Sequence, residues 1–123
     1  MKFSTKEFSA VLHLSKAMIA ADGKVEQIEL AAIANEFKRF NIGTALTDTL
    51  LQKADNIEFS EAIAIVSGMN QENKRYVAAF LGTIMAVDMN ISDAEMALWR
   101  LISTLCGLPT MTVKEAISIM ASL

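Results

Sequence analysis

The amino-acid sequence predicts an all-α fold, a bundle of six or seven helices within a single domain, residues 1–123. Three observations predict it. Apolar residues recur at the i, i+3, i+4 spacing of a helix along most of the chain, whereas the strict alternation of a β-strand is almost absent. Capping residues, glycine and proline separate these segments at short intervals. The 123 residues, 53% of them hydrophobic, suffice for a buried core without disulfides or a structural metal.

The first two helices flank a polar turn. The first is expected from about Thr5 to about Ala21, with a core face that comprises Phe8, Val11, Leu12, Ser15, Met18 and Ile19. The second follows Asp22-Gly23-Lys24-Val25, and its core face comprises Leu30, Ile33, Ala34, Phe37 and Phe40. We expect it to end at Asn41-Ile42-Gly43, because Gly43 can adopt the left-handed conformation that closes many helices.

Residues typical of helix boundaries mark the limits of the next three helices. Thr44 is expected to cap the third helix, which carries Leu46, Leu50, Leu51 and Ala54. The fourth helix is expected to end near Gly68, and it presents Phe59, Ala62, Ile63 and Val66. Asn70 is expected to cap the fifth helix, whose buried face holds Val77, Phe80, Leu81 and Ile84.

Two capping boxes mark the starts of the last two helices. In Ser92-Asp93-Ala94-Glu95 and in Thr112-Val113-Lys114-Glu115, the first and last side chains each satisfy a free backbone N–H. Gly107 and Pro109 are expected to end the sixth helix, whose core face comprises Leu98, Leu101, Ile102 and Leu105, with Trp99 and Cys106 alongside. The last helix carries Ala116, Ile117 and Met120.

Composition excludes several classes of protein. A formal net charge of −3 argues against a nucleic-acid partner, which requires a dense cationic face. One cysteine and one histidine exclude a disulfide framework, a cysteine-based zinc site and every site that needs two histidines. The chain has no glycine-rich phosphate loop and no serine with a histidine at a suggestive spacing. We therefore expect no catalytic residues, and we do not expect an enzyme.

The sequence predicts no membrane span. Its longest apolar stretch, Tyr76 to Val87, is shorter than the roughly 18 residues that a spanning helix needs. The N-terminal apolar segment is interrupted by polar and charged residues, which a secretory signal peptide would lack: Lys6, Glu7, His13 and Lys16. We therefore expect a cytoplasmic protein.

An internal repeat relates the turn at Asp22 to the turn at Asp88. A shift of 66 residues (22 to 88) aligns Asp22 with Asp88, Val25 with Ile91, and Glu29 with Glu95. In both copies an apolar helix precedes the turn and an amphipathic helix follows it. The duplication predicts two similar helix-turn-helix hairpins related by a pseudo-two-fold axis.

The first copy also matches the second half of an EF-hand loop, D-G-x-hydrophobic-x3-E. Loop positions 1 and 3 then fall on Met18 and Ala20, which have no side-chain oxygen, and Met89 replaces the turn glycine in the second copy. An EF-hand is therefore excluded.

The repeated motif D-[GM]-x-[VI]-x3-E, placed between two helices in each copy, resembles the tellurite-resistance protein TerB family. The resemblance covers about Phe8 to about Leu108, and related domains occur at the N-terminus of membrane-anchored J-domain co-chaperones. It implies an all-helical bacterial stress-response domain whose motif acids form a surface that binds divalent cations. Carried over by position, the implied metal ligands are Asp22, Glu29, Asp88 and Glu95.

Two interpretations of these acids remain open. Acids near a helix N-terminus interact favourably with the helix dipole, and for Glu95 the capping box with Ser92 is the favoured interpretation. Asp22 and Asp88 could be turn residues that bond to nearby backbone. However, if the pseudo-two-fold axis brings the two turns together, the four carboxylates repel one another unless some are protonated or a cation lies between them. A site made only of oxygen ligands favours Ca²⁺ or Mg²⁺.

The sequence thus predicts a TerB-like domain that binds Ca²⁺ or Mg²⁺ through duplicated Asp/Glu motifs. The alternative is a metal-free protein-interaction module, similar to a co-chaperone domain, with a protein partner or a second copy of itself. Methionine is favoured at adaptable binding surfaces, and Met69, Met89 and Met111 are expected at exposed turns or helix ends.

Overall fold

The computed structural model describes residues 2–21, 23, 27–87 and 90–123, apart from the side chains of residues 27–30 and 44. Within these ranges the chain forms seven α-helices and no β-strand, which confirms the all-α prediction. The helices are α1 Thr5–Ala20, α2 Gln27–Phe37, α3 Thr44–Asp55, α4 Phe59–Ser67, α5 Gln71–Ala86, α6 Asp93–Cys106 and α7 Val113–Ala121, and a 3₁₀ turn, Lys38–Phe40, extends α2.

Helix α5 is the central element of the bundle. It packs against α1, α2, α6 and α7. The middle of α5 is apolar around its whole circumference. A helix of this kind is stable in water only when neighbouring elements cover it. The buried residues of this segment are Tyr76, Val77, Ala78, Ala79, Phe80, Leu81, Gly82, Ile84 and Met85.

Helices α1 and α5 run parallel. Their N-terminal ends meet, because the side-chain amide of Asn73 donates to the backbone carbonyl of Lys2 (2.9 Å) and the Phe3 and Tyr76 rings lie 5.5 Å apart. The two helices also pack side by side, with Leu12 and Phe80 lining the same small cavity. An antiparallel pair would place the N-terminus of one helix against the C-terminus of the other. The C-terminal ends of α1 and α5 therefore lie at the same end of the bundle.

Local capping chemistry sets the helix ends, as the sequence predicts. The Asn70 side chain accepts the N–H of Asn73 (2.8 Å), and Gly107 is left-handed (φ 66°) at the end of α6. Both predicted capping boxes are present, and a third, formed by Ser4 and Glu7, begins α1. Each such cap typically contributes about 1 kcal/mol to stability.

The turn between α2 and α3 differs from the prediction. Asn41 is the left-handed residue (φ 58°, ψ 36°), a conformation that asparagine tolerates because its short side chain can bond locally. Gly43 is extended (φ −80°) and occupies the N-cap of α3. Thr44 is therefore the first residue of the helix and not its cap.

The core face of α6 also differs from the prediction. Leu101 and Leu105 are each 49% exposed, and the buried residues of the helix are Glu95, Trp99, Ile102 and Cys106. The physical reason is the docking of Trp99 on α5, where the indole N–H donates to the Ala78 carbonyl (3.1 Å). This contact fixes the rotation of α6 and turns the two leucines outward.

The predicted burial or exposure of several other residues is also wrong, because tertiary packing and not helical spacing decides it. Ala34, Leu46 and Ile117 are exposed although their helical spacing placed them in the core. Met69 is buried although a turn position predicted exposure, and Met111 is half-buried. Met89 lies outside the described residues. Among the described helices, none is both long and apolar enough to cross a membrane.

Candidate functional site

Of the four acids implied as metal ligands, Glu95 is the one with a described side chain. Asp22 and Asp88 lie outside the described residues. Glu29 lies in α2, and its side chain is among those that the structure does not describe. The residues that precede the two aspartates are described: Ala21 and Val87 close the parallel helices α1 and α5 at the same end of the bundle. The described part of the candidate site therefore consists of Glu95 and these two helix ends.

Helices α1 and α5 correspond in detail at the repeat distance. Both have 16 residues, and their bounds differ by 66 (5 to 71, and 20 to 86). Each begins at a side-chain N-cap, Ser4 in α1 and Asn70 in α5. Each ends with an αR residue, Ala21 or Val87, whose N–H donates to the carbonyl three residues earlier. The helices that follow, α2 and α6, begin 66 residues apart as well (27 to 93).

Glu95 caps helix α6, as the sequence predicts. Its Oε1 accepts the backbone N–H of Ser92, and the Ser92 hydroxyl oxygen accepts the backbone N–H of Glu95, both at 3.1 Å. The two bonds satisfy two backbone donors that the first turn of a helix otherwise leaves free. The carboxylate is thereby held in one orientation at the start of α6.

The second oxygen of Glu95, Oε2, has no hydrogen-bond partner among the residues that the structure describes. Oε2 is buried, and the whole residue is only 2% exposed. A buried polar atom without a partner costs about 1–3 kcal/mol, and more when the group is charged. Most buried polar atoms in proteins are bonded, so the position of this oxygen requires an explanation.

Burial of Glu95 follows from the rotation of α6. Glu95 lies one helical turn before Trp99 and shares its inward face with Ile102 and Cys106. Because Trp99 is anchored on α5, the same face carries Glu95 into the interior near the turn between α5 and α6. The sequence predicted the cap, but not that its carboxylate would be buried.

The chemistry of Glu95 Oε2 fits a hard cation. A carboxylate oxygen is the side-chain ligand that Ca²⁺ and Mg²⁺ prefer. Within the described part of the chain, no group of three or more His, Cys, Asp or Glu side chains could hold a metal ion. The other three acids implied as ligands, Asp22, Glu29 and Asp88, have side chains that lie outside this part of the chain.

The side chains of the single histidine and the single cysteine each contact a backbone carbonyl. His13, expected on an exposed polar stripe, is half-buried, with Nδ1 2.9 Å from the Ala54 carbonyl oxygen and its ring 6.3 Å from that of Phe59. Cys106 is buried as predicted, and its thiol donates to the Ile63 carbonyl (3.7 Å). Burial raises the pKa of Cys106 to about 11, so its thiol stays protonated at neutral pH.

Two surface features of α6 were missed by the sequence analysis. An open groove of about 780 Å³ lies along the helix, between Met96 and Met111, and Arg100 is the charged residue among the described residues that line it. The helix also carries the α6 leucine stripe, which we define as Leu98, Leu101 and Leu105. The spacing of the three leucines fits a buried face as well as an exposed one, so periodicity alone could not place them.

Comparison with solved structures finds the crystal structure of PG1108, a protein of unknown function from Porphyromonas gingivalis W83. The two chains are 51% identical, and they superpose with a TM-score of 0.87. The match covers 100% of this chain and 99% of that chain. No protein-family model matches the sequence, and no curated protein matches it either. The helical architecture is thus shared along the full length of both chains.

Proposed function

We propose that this domain has a TerB-like stress-response function and binds Ca²⁺ or Mg²⁺ through its duplicated Asp/Glu motifs. The chain belongs to the same family as PG1108 of Porphyromonas gingivalis. The proposed ligands are Asp22, Glu29, Asp88 and Glu95. The observation that carries the proposal is Glu95 Oε2, a buried carboxylate oxygen with no hydrogen-bond partner in the described part of the chain. Capping of α6 requires only the other oxygen.

A shared site further requires that the two motif copies meet. The parallel arrangement of α1 and α5 supports this, because Asp22 follows Ala21 and Asp88 follows Val87 in the sequence. The packing is also reciprocal: α6 packs against α1, and α2 packs against α5. A pseudo-two-fold axis parallel to α1 and α5 would exchange these two contacts. This reciprocity supports two related hairpins with both motifs at one end of the bundle.

The proposed mechanism is regulatory and involves no reaction. Without a cation, carboxylates that are close together repel one another and weaken the packing of one hairpin against the other. A bound divalent cation neutralises the acids and fixes one hairpin against the other. Binding of the cation would then make this end of the bundle more rigid, and other proteins would recognise the more rigid form.

Thermal unfolding of the chelator-treated protein tests the proposal. A cation present at about 100 times its dissociation constant adds about 2.7 kcal/mol of stability, which for a chain of this length corresponds to about 10 °C in the melting temperature. We expect the shift with millimolar Ca²⁺ or Mg²⁺ to disappear in the Asp22→Asn/Asp88→Asn variant. The matched control, Asp48→Asn/Glu61→Gln, removes two exposed acids from α3 and α4 and should keep the shift. A wild-type protein that neither cation stabilises contradicts the proposal.

A metal-free protein-interaction module is the second candidate function, and the α6 leucine stripe favours it. Leu101 and Leu105 are each 49% exposed and lie one helical turn apart, beside the half-buried Leu98. The 3–4 spacing of the three leucines is that of a seam between two helices. A helix of a partner protein, or α6 of a second copy, could cover this stripe.

Sedimentation velocity separates the two candidates. If the domain forms homodimers through this stripe, its association should increase with protein concentration and should not change when a chelator is added. Leu101→Lys/Leu105→Lys should abolish the association, whereas Leu46→Lys, at a comparably exposed leucine (46%) on α3, should not. Equal association of both variants would exclude the stripe as the contact surface.

A further inference from the structure

The open groove beside α6 lies between that helix and the segment that leads into α7. Met96, Arg100 and Ser103 line it from α6, and residues of the segment 107–113 line it from the other side. Ser103 and Leu101 are two positions apart, so they point about 160° apart around the helix. The groove therefore lies on the side of α6 opposite to the α6 leucine stripe and is a separate surface.

Apolar side chains provide much of the groove surface. Met96 and Met111 are half-buried on its two sides, and Leu108 and Val113 also line it. Methionine side chains are flexible and adapt to partners of different shape. The volume of about 780 Å³ is in the usual range of binding sites. Because the groove is open, it covers a small molecule poorly but can hold an extended chain along its length.

Two cationic side chains lie along this groove. Arg100 lines it directly, and Nζ of Lys74 on α5 lies 3.6 Å from the position that a Cβ on the groove-lining Gly107 would occupy. Neither cation forms an ion pair within the part of the chain that the structure describes. Arg100 and Gly107 are seven residues apart, which is about 10 Å along the helix. The groove thus has two unpaired positive charges in a chain whose formal net charge is −3.

The start of α7 adds no further anion site to the groove. Thr112 lines the groove, but its backbone N–H donates to the Glu115 carboxylate (3.0 Å) in the capping box. This carboxylate also offsets the partial positive charge at the N-terminus of the helix. The positive charge available to a ligand therefore comes from Arg100 and Lys74.

We infer that this groove binds an extended acidic segment of a partner protein, with two acids three residues apart and apolar residues between them. In the polyproline-II conformation, which is common in unfolded segments, residues i and i+3 lie on the same side and about 9 Å apart. This distance matches the spacing of the two cations along the groove. The apolar residues of the segment contact Met96 and Met111. The inference is independent of the proposed cation site, because it uses a different surface and needs no metal.

Fluorescence anisotropy of a labelled peptide tests the inference on the full chain. The probe contains Glu-Leu-Val-Glu between glycine and serine residues, and the control peptide contains Gln-Leu-Val-Gln. We expect the acidic peptide to bind about tenfold more tightly than the control peptide and to bind more weakly as the salt concentration rises. Chelator should not change its binding.

Substitutions of single cations locate the binding surface. Arg100→Gln and Lys74→Gln should each weaken binding of the acidic peptide by about two- to fivefold, because each removes one ion pair. The matched control is Arg75→Gln, an exposed arginine next to Lys74 in the sequence that does not line the groove, and it should bind as wild type does. Thermal melts of the three variants verify that each is folded.

Lys74 also has a structural alternative, because a cation near the C-terminal end of α6 interacts favourably with the helix dipole. That role alone predicts a lower melting temperature for Lys74→Gln with unchanged peptide binding, which would overturn the inference. Equal binding of the two peptides, or equal effects of Arg100→Gln and Arg75→Gln, would also overturn it. So would binding that Leu101→Gln/Leu105→Gln abolishes, since the peptide would then occupy the α6 leucine stripe. A wild type that binds no acidic peptide at protein concentrations up to about 1 mM overturns the inference and leaves the proposed cation site untouched.

Discussion

The indole of Trp99 occupies the space that the missing side chain of Gly82 leaves on α5. A Cβ at position 82 would lie 2.7 Å from Cζ2 of Trp99 and 2.9 Å from the Cβ of Ala116 on α7. Glycine thus allows α6 and α7 to approach the centre of α5 closely. Because this contact sets the rotation of α6, it also determines that Glu95 faces the interior and that the α6 leucine stripe faces outward.

Gly82→Ala is expected to destabilise the protein. The added methyl group must displace Trp99 or α7, and overpacking of this kind typically costs about 1–3 kcal/mol, partly offset by the better helix propensity of alanine. The free energy of unfolding in urea measures the effect. Gly68→Ala is the control, because its Cβ would meet the nearest atom, the Ile65 carbonyl oxygen, at an ordinary 3.6 Å. A Gly82→Ala protein as stable as Gly68→Ala would contradict the packing described for Trp99.

Adjacent alanine substitutions test the rotation of α6. Ile102 is fully buried and Leu101 is 49% exposed. Ile102→Ala should lower the free energy of unfolding by about 2–5 kcal/mol, because it leaves a cavity in the core. Leu101→Ala should change it by about 0.5 kcal/mol or less, as is usual at surface positions. Equal losses at the two positions would indicate that the helix buries the face predicted from sequence periodicity.

The Cys106 thiol is expected to be unreactive in the folded protein. Burial raises its pKa to about 11, so at pH 8 about one thiol in a thousand is ionised, and the thiolate is the reactive form. We expect a thiol-specific reagent to label native protein far more slowly than urea-unfolded protein. Labelling at the unfolded rate under native conditions would show that Cys106 is accessible.

The Glu115 carboxylate is expected to titrate below the usual range for glutamate. The backbone N–H of Thr112, and then its hydroxyl, lower the pKa of Glu115. A lowered folded-state pKa stabilises the protein above the unfolded-state pKa, and this contribution is lost as pH falls through the folded-state pKa. A carboxyl NMR titration should show the lowered pKa, and Thr112→Ala should raise it only in part, because the backbone N–H remains. An ordinary pKa in the wild type would contradict the capping box at α7.

Helix boundaries could be predicted from the sequence because capping is local. Asn70, Ser92, Gly107 and Thr112 act within four residues of their own position, and the structure confirms all four. Asn41 was missed because both asparagine and glycine accept a left-handed backbone, and the sequence Asn41-Ile42-Gly43 offers both.

Helix rotation could not be predicted in the same way. The spacing of Leu98, Leu101 and Leu105 forms an apolar face as regular as the one through Trp99 and Ile102. The choice between these faces depends on Gly82, which belongs to a different helix. A glycine inside an otherwise apolar helix was the available signal for a close approach of another element.

The sequence singled out Glu95 but did not predict its environment. The sequence singled out Glu95 both as a capping residue and as an implied ligand, and the structure confirms the cap. The burial of Glu95, including its Oε2, depends on the docking of Trp99 and could not be deduced from the motif. The cation itself stays a prediction.

Luminescence of bound terbium tests the central claim most directly. Tb³⁺ substitutes for Ca²⁺ at oxygen sites, and an excited tryptophan transfers energy to it only at short range. The chain has a single tryptophan, Trp99, one helical turn after Glu95. A cation at Glu95 predicts sensitised terbium emission that Ca²⁺ competes away, that Glu95→Gln removes and that Glu115→Gln retains. No sensitised emission from the wild type, or emission unchanged by Glu95→Gln, would contradict a cation site at this residue.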